Sequence, residues 1–318
     1  HNVAAARHSV RSARDLVVLV TANLYLQALA ASPRLESSRA QAVTAEALYA
    51  QAANMKAAGL VPGIDVLRAD VQLGTHRQRV TAAQNEFEKS KLQLARVMGL
   101  PAGQAFTLSH ELPFVPPPEM TLEDALERAY RLRPDYLALQ ERVEAAEAER
   151  KAAFGELLPS VRVNADYGRI GLTPGTAETT YALAGSLNVP IFNGGRTRGR
   201  LIQTDADLRT RRSELDDLRA AIDVEVRSAF LDLQATREQL EVATRARTLA
   251  AEQLTQSRDR FAGGVASNIE VVQAQEAVAL ASEQYISALY GFNIAKAMLA
   301  RDLGMAEEAA RQFIGGVR

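Results

Sequence analysis

The residues of this 318-residue chain whose types could do chemistry are few and far apart. Its 4 histidines, His1, His8, His76 and His110, are scattered, and cysteine is absent, so neither a thiolate metal site nor a disulfide framework can be drawn. His76 falls among alanine and valine at helical spacing, where an imidazole is more often packed or hydrogen-bonded than a ligand. Asp216-Asp217 and Glu307-Glu308 could be acid pairs, but neighbours on a helix point about 100° apart and no base or nucleophile accompanies them, so they read as solvated charge. Asn193-Gly194-Gly195-Arg196-Thr197-Arg198-Gly199 follows a strand pattern and opens a helix, the context of a phosphate cradle. A P-loop would end in Gly-Lys-Ser/Thr, and a dinucleotide fold needs a parallel βαβ array, so this segment reads as a flexible exit from a strand into a helix. With no triad, metal cluster or complete nucleotide loop, no catalytic residue, metal or cofactor is expected.

The elements that carry these residues are betrayed by composition. Hydrophobic residues are 47% of the chain, yet aromatics are only 5% and tryptophan is absent, which favours alanine-rich helices in close approach over a thick globular core. Lys plus Arg number 37 against 38 Asp plus Glu, alternating in sign, so no nucleic-acid footprint is expected. The densest basic run, Arg196, Arg198, Arg200, Arg209, Arg211 and Arg212, reads as a solvated helix face in preference to a lipid or substrate contact. The apolar stretch around 17–20 is too short and interrupted to span a bilayer, so no transmembrane helix is expected. Beginning at His1 without Met, the chain reads as a piece of a longer one.

An internal repeat organises the whole. The segment from Gly59 to Gly99 returns 205 residues later, from Gly264 to Gly304, without a gap. Gly59, Ile64, Asp65, Val66, Leu67 and Ala69 match Gly264, Ile269, Glu270, Val271, Val272 and Ala274; Phe87 and Lys91 match Phe292 and Lys296. Inward positions step by three and four: Val66, Ala69, Leu73, His76, Val80, Ala83, Phe87, Ser90 and Leu94 in the first copy. The second has Val271, Ala274, Val278, Ala281, Tyr285, Ala288, Phe292, Ala295 and Leu299, so both are coiled-coil-like helices. A preceding long helix carries Leu208, Leu215, Leu218, Ile222, Val226, Ala229 and Leu233 on one face, and Leu24-Tyr25-Leu26 answers Ala229-Phe230-Leu231 in the other copy. Each copy is thus a helical hairpin of roughly 35- to 55-residue arms turning at 59–65 or 263–270, with Asp65 or Asn268 opening the second arm. Between hairpins, 112–118 is a proline-rich linker, Thr121 caps a short helix, and a further helix runs from Pro134 to about Gly155.

After Pro159 the period changes to two. Val161, Val163, Ala165 and Tyr167 alternate with polar residues, and Tyr181, Leu183, Gly185, Leu187 and Val189 follow the same rule, predicting an antiparallel hairpin about 10–12 residues tall. That suits a membrane barrel, apolar toward lipid and polar toward the lumen. A lone hairpin would leave its edges unpaired, so closure requires strands from elsewhere. The repeat offset places an equivalent hairpin upstream of His1.

Arg133-Pro134-Asp135-Tyr136, Leu158-Pro159-Ser160 entering a strand, Val189-Pro190-Ile191-Phe192-Asn193-Gly194-Gly195-Arg196 leaving one, and the twin glycine turns together resemble the TolC-type outer-membrane efflux and secretion family. The likeness runs from the first helix to Gly304. It implies a mainly α fold of long helical hairpins in two repeats plus one β-hairpin of an outer-membrane barrel. It implies a homotrimer in the outer membrane of a Gram-negative bacterium, a passive conduit across the periplasm, touching outer-membrane lipid and served indirectly by an inner-membrane pump. The turns would meet a periplasmic adaptor through Gly59, Leu60, Val61, Asp65, Val66 and Leu67, and through Gly264, Val265, Ala266, Glu270, Val271 and Val272. Asp65, Arg258, Asp259, Arg260 and Glu270 are placed to constrict the tunnel. The family's second hairpin, N-terminal helix and lipid-anchoring cysteine are missing from this stretch. On this reading 1–118 is repeat one, and 119–318 is repeat two with the β-hairpin at about 160–192. Rival readings are a periplasmic adaptor, which would carry lipoyl-like half-motifs and a single helical hairpin, and a structural coiled-coil protein, which leaves the alternating strands unexplained.

Overall fold

Heptad spacing becomes helix wherever it was written. The computed structural model describes residues 1–101, 103–108, 114, 120–171 and 178–313, with the side chains of Asn268 and 310–313 left aside. His110, most of the 112–118 linker and the Gly/Thr/Pro stretch between the strands lie outside the described residues. The elements are α1 (Asn2–Ala57), α2 (Gly63–Val97), α3 (Leu122–Leu132), α4 (Pro134–Gly155), β1 (Ser160–Ile170), β2 (Glu178–Asn188), α5 (Arg196–Ala262), α6 (Asn268–Asp302) and α7 (Ala306–Phe313). α2 and α6 are both 35 residues long, and their first residues, like their last, are 205 apart. α5 exceeds the expected arm length, running for 67 residues. After Gly199 in its first turn, neither glycine nor proline occurs from Arg200 to Ala262, so nothing stops the helix.

The chain divides into two units. One comprises His1–Val10 and Pro134–Ala221; the other comprises Arg11–Arg133 and Ile222–Arg318.

In the second unit the expected seam of α2 is realised. Ala69, Leu73, His76, Ser90 and Leu94 are buried, and Val66, Val80, Ala83 and Phe87 half-buried. On α5, Ile222, Val226, Ala229 and Leu233 are buried, and the same step continues through Leu240, Ala243 and Ala250 to Phe261. α6 departs from its single expected stripe. Val271, Ala274, Ala281, Phe292, Ala295 and Leu299 are buried as read, but so are Gln275, Ile286, Leu289, Asn293, Lys296 and Ala300. The reason is that α6 has partners on several sides: Tyr290 donates to Asn23 of α1 (2.6 Å), Arg247 of α5 stacks 3.8 Å from the Tyr285 ring centre, and Arg79 of α2 pairs with Glu276.

α1 corrects the expectation about membrane-crossing helices. Residues 16–33 carry no charge, and α1 is long and apolar enough to cross a membrane by length and composition. Thr21, Asn23 and Gln27 interrupt the run without lowering its average enough. A third of that apolar stretch is buried inside the protein, and Leu26, Ala28, Leu29, Ala30 and Ala31 supply part of this unit's core. α1 also continues through Pro33, which the heptad reading passed over and which removes one backbone donor.

Thr121 caps α3 as expected, accepting from the Asp124 amide at 3.1 Å. The buried Arg133 side chain then bonds Glu225 of α5 at 2.5 Å. Beside it, burial raises the Asp302 carboxyl above its usual range, opposed by Arg301.

In the other unit α4 runs from Pro134 to Gly155 as expected. Ion pairs Arg150–Asp205, Arg212–Glu147 and Arg200–Glu156 join α4 and the residues just after it to the start of α5. Arg209 and Arg211 pair within α5. The basic run is therefore largely matched by carboxylates, as a solvated helix face should be. Leu208 is buried, and Leu215 and Leu218 half-buried, on the expected face.

Candidate functional site

Two features stand out, the twin helix turns and the strand pair. Each turn is built the same way. Gly59 and Gly264 take φ of +74° and +72°, a left-handed conformation that side chains resist. The following amides fold back: Gly59 N–H to Lys56 O and Leu60 N–H to Met55 O; Gly264 N–H to Phe261 O and Val265 N–H to Arg260 O. This is the Schellman closure, which satisfies carbonyls a helix end leaves open. Asn268 opens α6 as expected, whereas α2 opens at Gly63 and Asp65 lies two residues inside it. Pro62 and Ser267 occupy the cap positions with no side-chain cap bond. Asp65 sits in the first turn, where a carboxylate meets the positive end of the helix dipole, with Arg68 3.4 Å away.

The turn residues singled out from sequence do not share one environment. Gly59, Leu60, Leu67, Gly264 and Val265 are exposed, Leu60 to 70% and Val265 to 74%. Val61, Asp65, Val66, Ala266, Glu270 and Val272 are half-buried. Val271 is fully buried, packed with Leu48 and Phe261 and flanked by Met55 and Leu254. This cluster draws α1, α5 and α6 together just inside the turns. It went unrecognised in the sequence because its members come from three separated segments. Of the constriction candidates, Arg260 and Glu270 meet across the second turn at 3.7 Å, Asp65 holds Arg68, and Arg258 and Asp259 are exposed.

The strand pair has an in-register apolar face. Val161 opposes Leu187, Val163 opposes Gly185, Ala165 opposes Leu183 and Tyr167 opposes Tyr181. Arg162, Asn164 and Asp166 oppose Ser186, Ala184 and Ala182 on the other face. Apart from a half-buried Gly168, both strands are exposed throughout, Tyr167 and Tyr181 each to 83%. After β2, Gly194 and Gly195 take positive φ and Asn193 bonds Thr197, opening α5. The antiparallel strand before them is not a nucleotide-fold strand.

Among the described residues, one group of metal-capable side chains converges: His1 Nδ1 lies 2.8 Å from Glu141 and 3.1 Å from Glu144. All three are partly or fully exposed, and the distances are those of hydrogen-bonded pairs. The acid pairs Asp216-Asp217 and Glu307-Glu308 are exposed.

Long paired helices in two matching copies, interrupted by a strand pair with one apolar face, define a mainly α class of repeat protein. Residues 125–305, more than half the chain, match the family model described as "Outer membrane efflux protein", and the chain belongs to that family. It is 22% identical over 272 residues to the pyoverdine export outer membrane protein OpmQ of Pseudomonas putida, covering 83% of this chain and 56% of that one. It is 26% identical over 329 residues to the outer membrane protein OprJ of Pseudomonas aeruginosa, covering 98% and 66%. The chain therefore spans 56% to 66% of the length of these two curated relatives. The solved outer membrane channel MtrE of Neisseria gonorrhoeae shares the fold, with a TM-score of 0.79 at 18% identity, over 95% of this chain and 69% of that one.

Proposed function

We propose that this chain is part of an outer-membrane channel subunit of a tripartite efflux or type I secretion system in a Gram-negative bacterium, a passive conduit across periplasm and outer membrane. No chemistry is assigned to it. The observation that carries this reading is the strand pair, whose aligned apolar face is wholly exposed and whose two outer edges are open. In lipid, unpaired strand edges cost several kcal/mol per group, roughly, and closure with strands of other chains removes them. Three copies of the full-length subunit would close such a barrel around an axis. The helices of two repeats, 1–118 and 119–318, would continue it as a tunnel.

The turns at Gly59 and Gly264 would meet a periplasmic adaptor, which connects the conduit to an inner-membrane pump. Their exposed apolar residues support that role, and Asp65, Arg258, Asp259, Arg260 and Glu270 are the polar groups available to constrict the tunnel nearby. The test is the mass of the full-length protein extracted from outer membranes in detergent, by light scattering corrected for bound detergent. A three-subunit particle is expected. A monomer that stays soluble without detergent would sink the conduit and favour a coiled-coil protein.

A further inference from the structure

His76 lies on the buried seam of α2, 1% exposed. Neither of its ring nitrogens has a hydrogen-bond partner, and on α6 the buried Nε2 of Gln275, the residue before Glu276, has none either. These are the unsatisfied buried side-chain atoms of the described residues. Such groups weaken a seam, because each keeps an uncompensated desolvation cost.

The obvious partner is near but engaged. Glu276 Oε1 is 3.6 Å from His76 Nε2, too far for a hydrogen bond, and Arg79 donates to both oxygens of that carboxylate at 3.1 and 3.3 Å. Arg79 and Glu276 line a groove with Arg34 of α1 and Glu283 of α6, which bond each other at 2.9 Å. Glu276 and Arg79 are the charged groups acting on the ring among the described residues.

We propose that His76 is an acid-sensitive release point: a proton on its ring separates α2 from α6 around Gln275 and Glu276. A charged imidazole cannot stay where the neutral one sits. Either water must enter the seam or Glu276 must leave Arg79 to reach it, and both part the helices locally. Burial is the dominant influence on the ring and pushes it below its usual 6.5, with Glu276 pulling upward and Arg79 downward. The folded state thus holds this proton less tightly than the unfolded chain. The seam keeps its full stability above 6.5 and loses it as the pH falls through the lower folded value. This opening does not rest on the conduit reading; an effect on passage through a tunnel would.

Hydrogen exchange followed by mass spectrometry on the full chain tests it, at about pH 7.5 and about pH 5.5, with intrinsic exchange chemistry divided out. Protection in peptides covering His76 and Gln275 should fall by up to about tenfold per pH unit across the transition, as one linked proton requires. In His76→Leu the fall should vanish. Glu276→Gln removes the carboxylate that favours the charged ring, so the fall should continue to a lower pH before it levels off. Arg79→Gln should make it level off at a higher pH. Protection that stays constant in the parent chain overturns the proposal, as does the same fall in His76→Leu. Should that variant not fold, a fall that levels off at the same pH in the two rim variants overturns it instead.

Discussion

Gly99 and Gly304 occupy equivalent places after α2 and α6, with φ of +71° and +72° and the same backward hydrogen bonds, Leu100 to Ala95 and Met305 to Ala300. Their surroundings differ. A Cβ on Gly99 would meet nothing within 4 Å, whereas one on Gly304 would lie 2.7 to 2.8 Å from the backbone of Leu132 and Arg133. Gly99→Ala should therefore cost only the left-handed strain, roughly 1–2 kcal/mol. Gly304→Ala should add an overpacking cost of about 1–3 kcal/mol, because backbone cannot swing aside as a side chain can. Denaturant midpoints of the two variants would check this, and equal losses would refute it. Lys91 and Lys296 are a second matched pair, each 5.5 Å from the ring centre of Phe87 or Phe292. Lys296 is the buried one, and desolvation lowers its amine to about 8. Its folded value lies below the unfolded 10.5, so the chain should gain stability as pH rises from about 8 to 10.5. Lys296→Met should lack that gain, measured as the difference between unfolding midpoints of the two proteins across this window.

At the scale of elements, the strand pair makes a directional prediction. Leu183 and Ala184 are neighbours on β2 facing opposite sides. If the Leu183 side faces lipid, Leu183→Arg should cost about 2–4 kcal/mol near the bilayer middle, while Ala184→Arg, facing the lumen, should cost far less. The yield of assembled particle from reconstituted membranes would separate them, and equal yields would contradict the assignment of faces. This hairpin was legible because its alternation belongs to adjacent residues, and so was the α2 seam, whose heptad lies within one helix. The second buried face of α6 was hidden: Gln275, Asn293 and Lys296 look like surface residues, and only α1, α2 and α5 packing around them makes them interior. The start of the first copy's second arm was misjudged for a related reason. Asp65 has the chemistry of a cap, but Pro62 holds the extended cap conformation and α2 begins at Gly63, while α6 begins at Asn268 as read. The turns were legible as a repeat, while the division of their residues between surface and interior depended on Leu48 and Phe261, distant in sequence from Val271.

At the scale of the whole molecule, that division separates docking from folding. Val265 and Val271 are six positions apart in one turn, and a sequence comparison gives both the same standing. Val265 is exposed, and Val271 is enclosed by Leu48 and Phe261. Val265→Asp should leave stability within about 0.5 kcal/mol of the parent, as surface changes do. If the turns meet an adaptor, it should nevertheless cut cross-linking to that partner, since a charge would have to be desolvated in the contact. Val271→Asp places a carboxylate in an apolar cluster and should lower the thermal midpoint by several degrees, through the cost of burying an unpaired charge. Its loss of adaptor contact, if any, should track unfolding and disappear at a temperature where the variant remains folded. Cross-linking yield and unfolding midpoint measured on the same two preparations decide the matter: a Val265→Asp protein that is stable and still fully cross-linked would remove the exposed side of the second turn from the proposed docking surface and leave the first turn, at Gly59 and Leu60, to carry it.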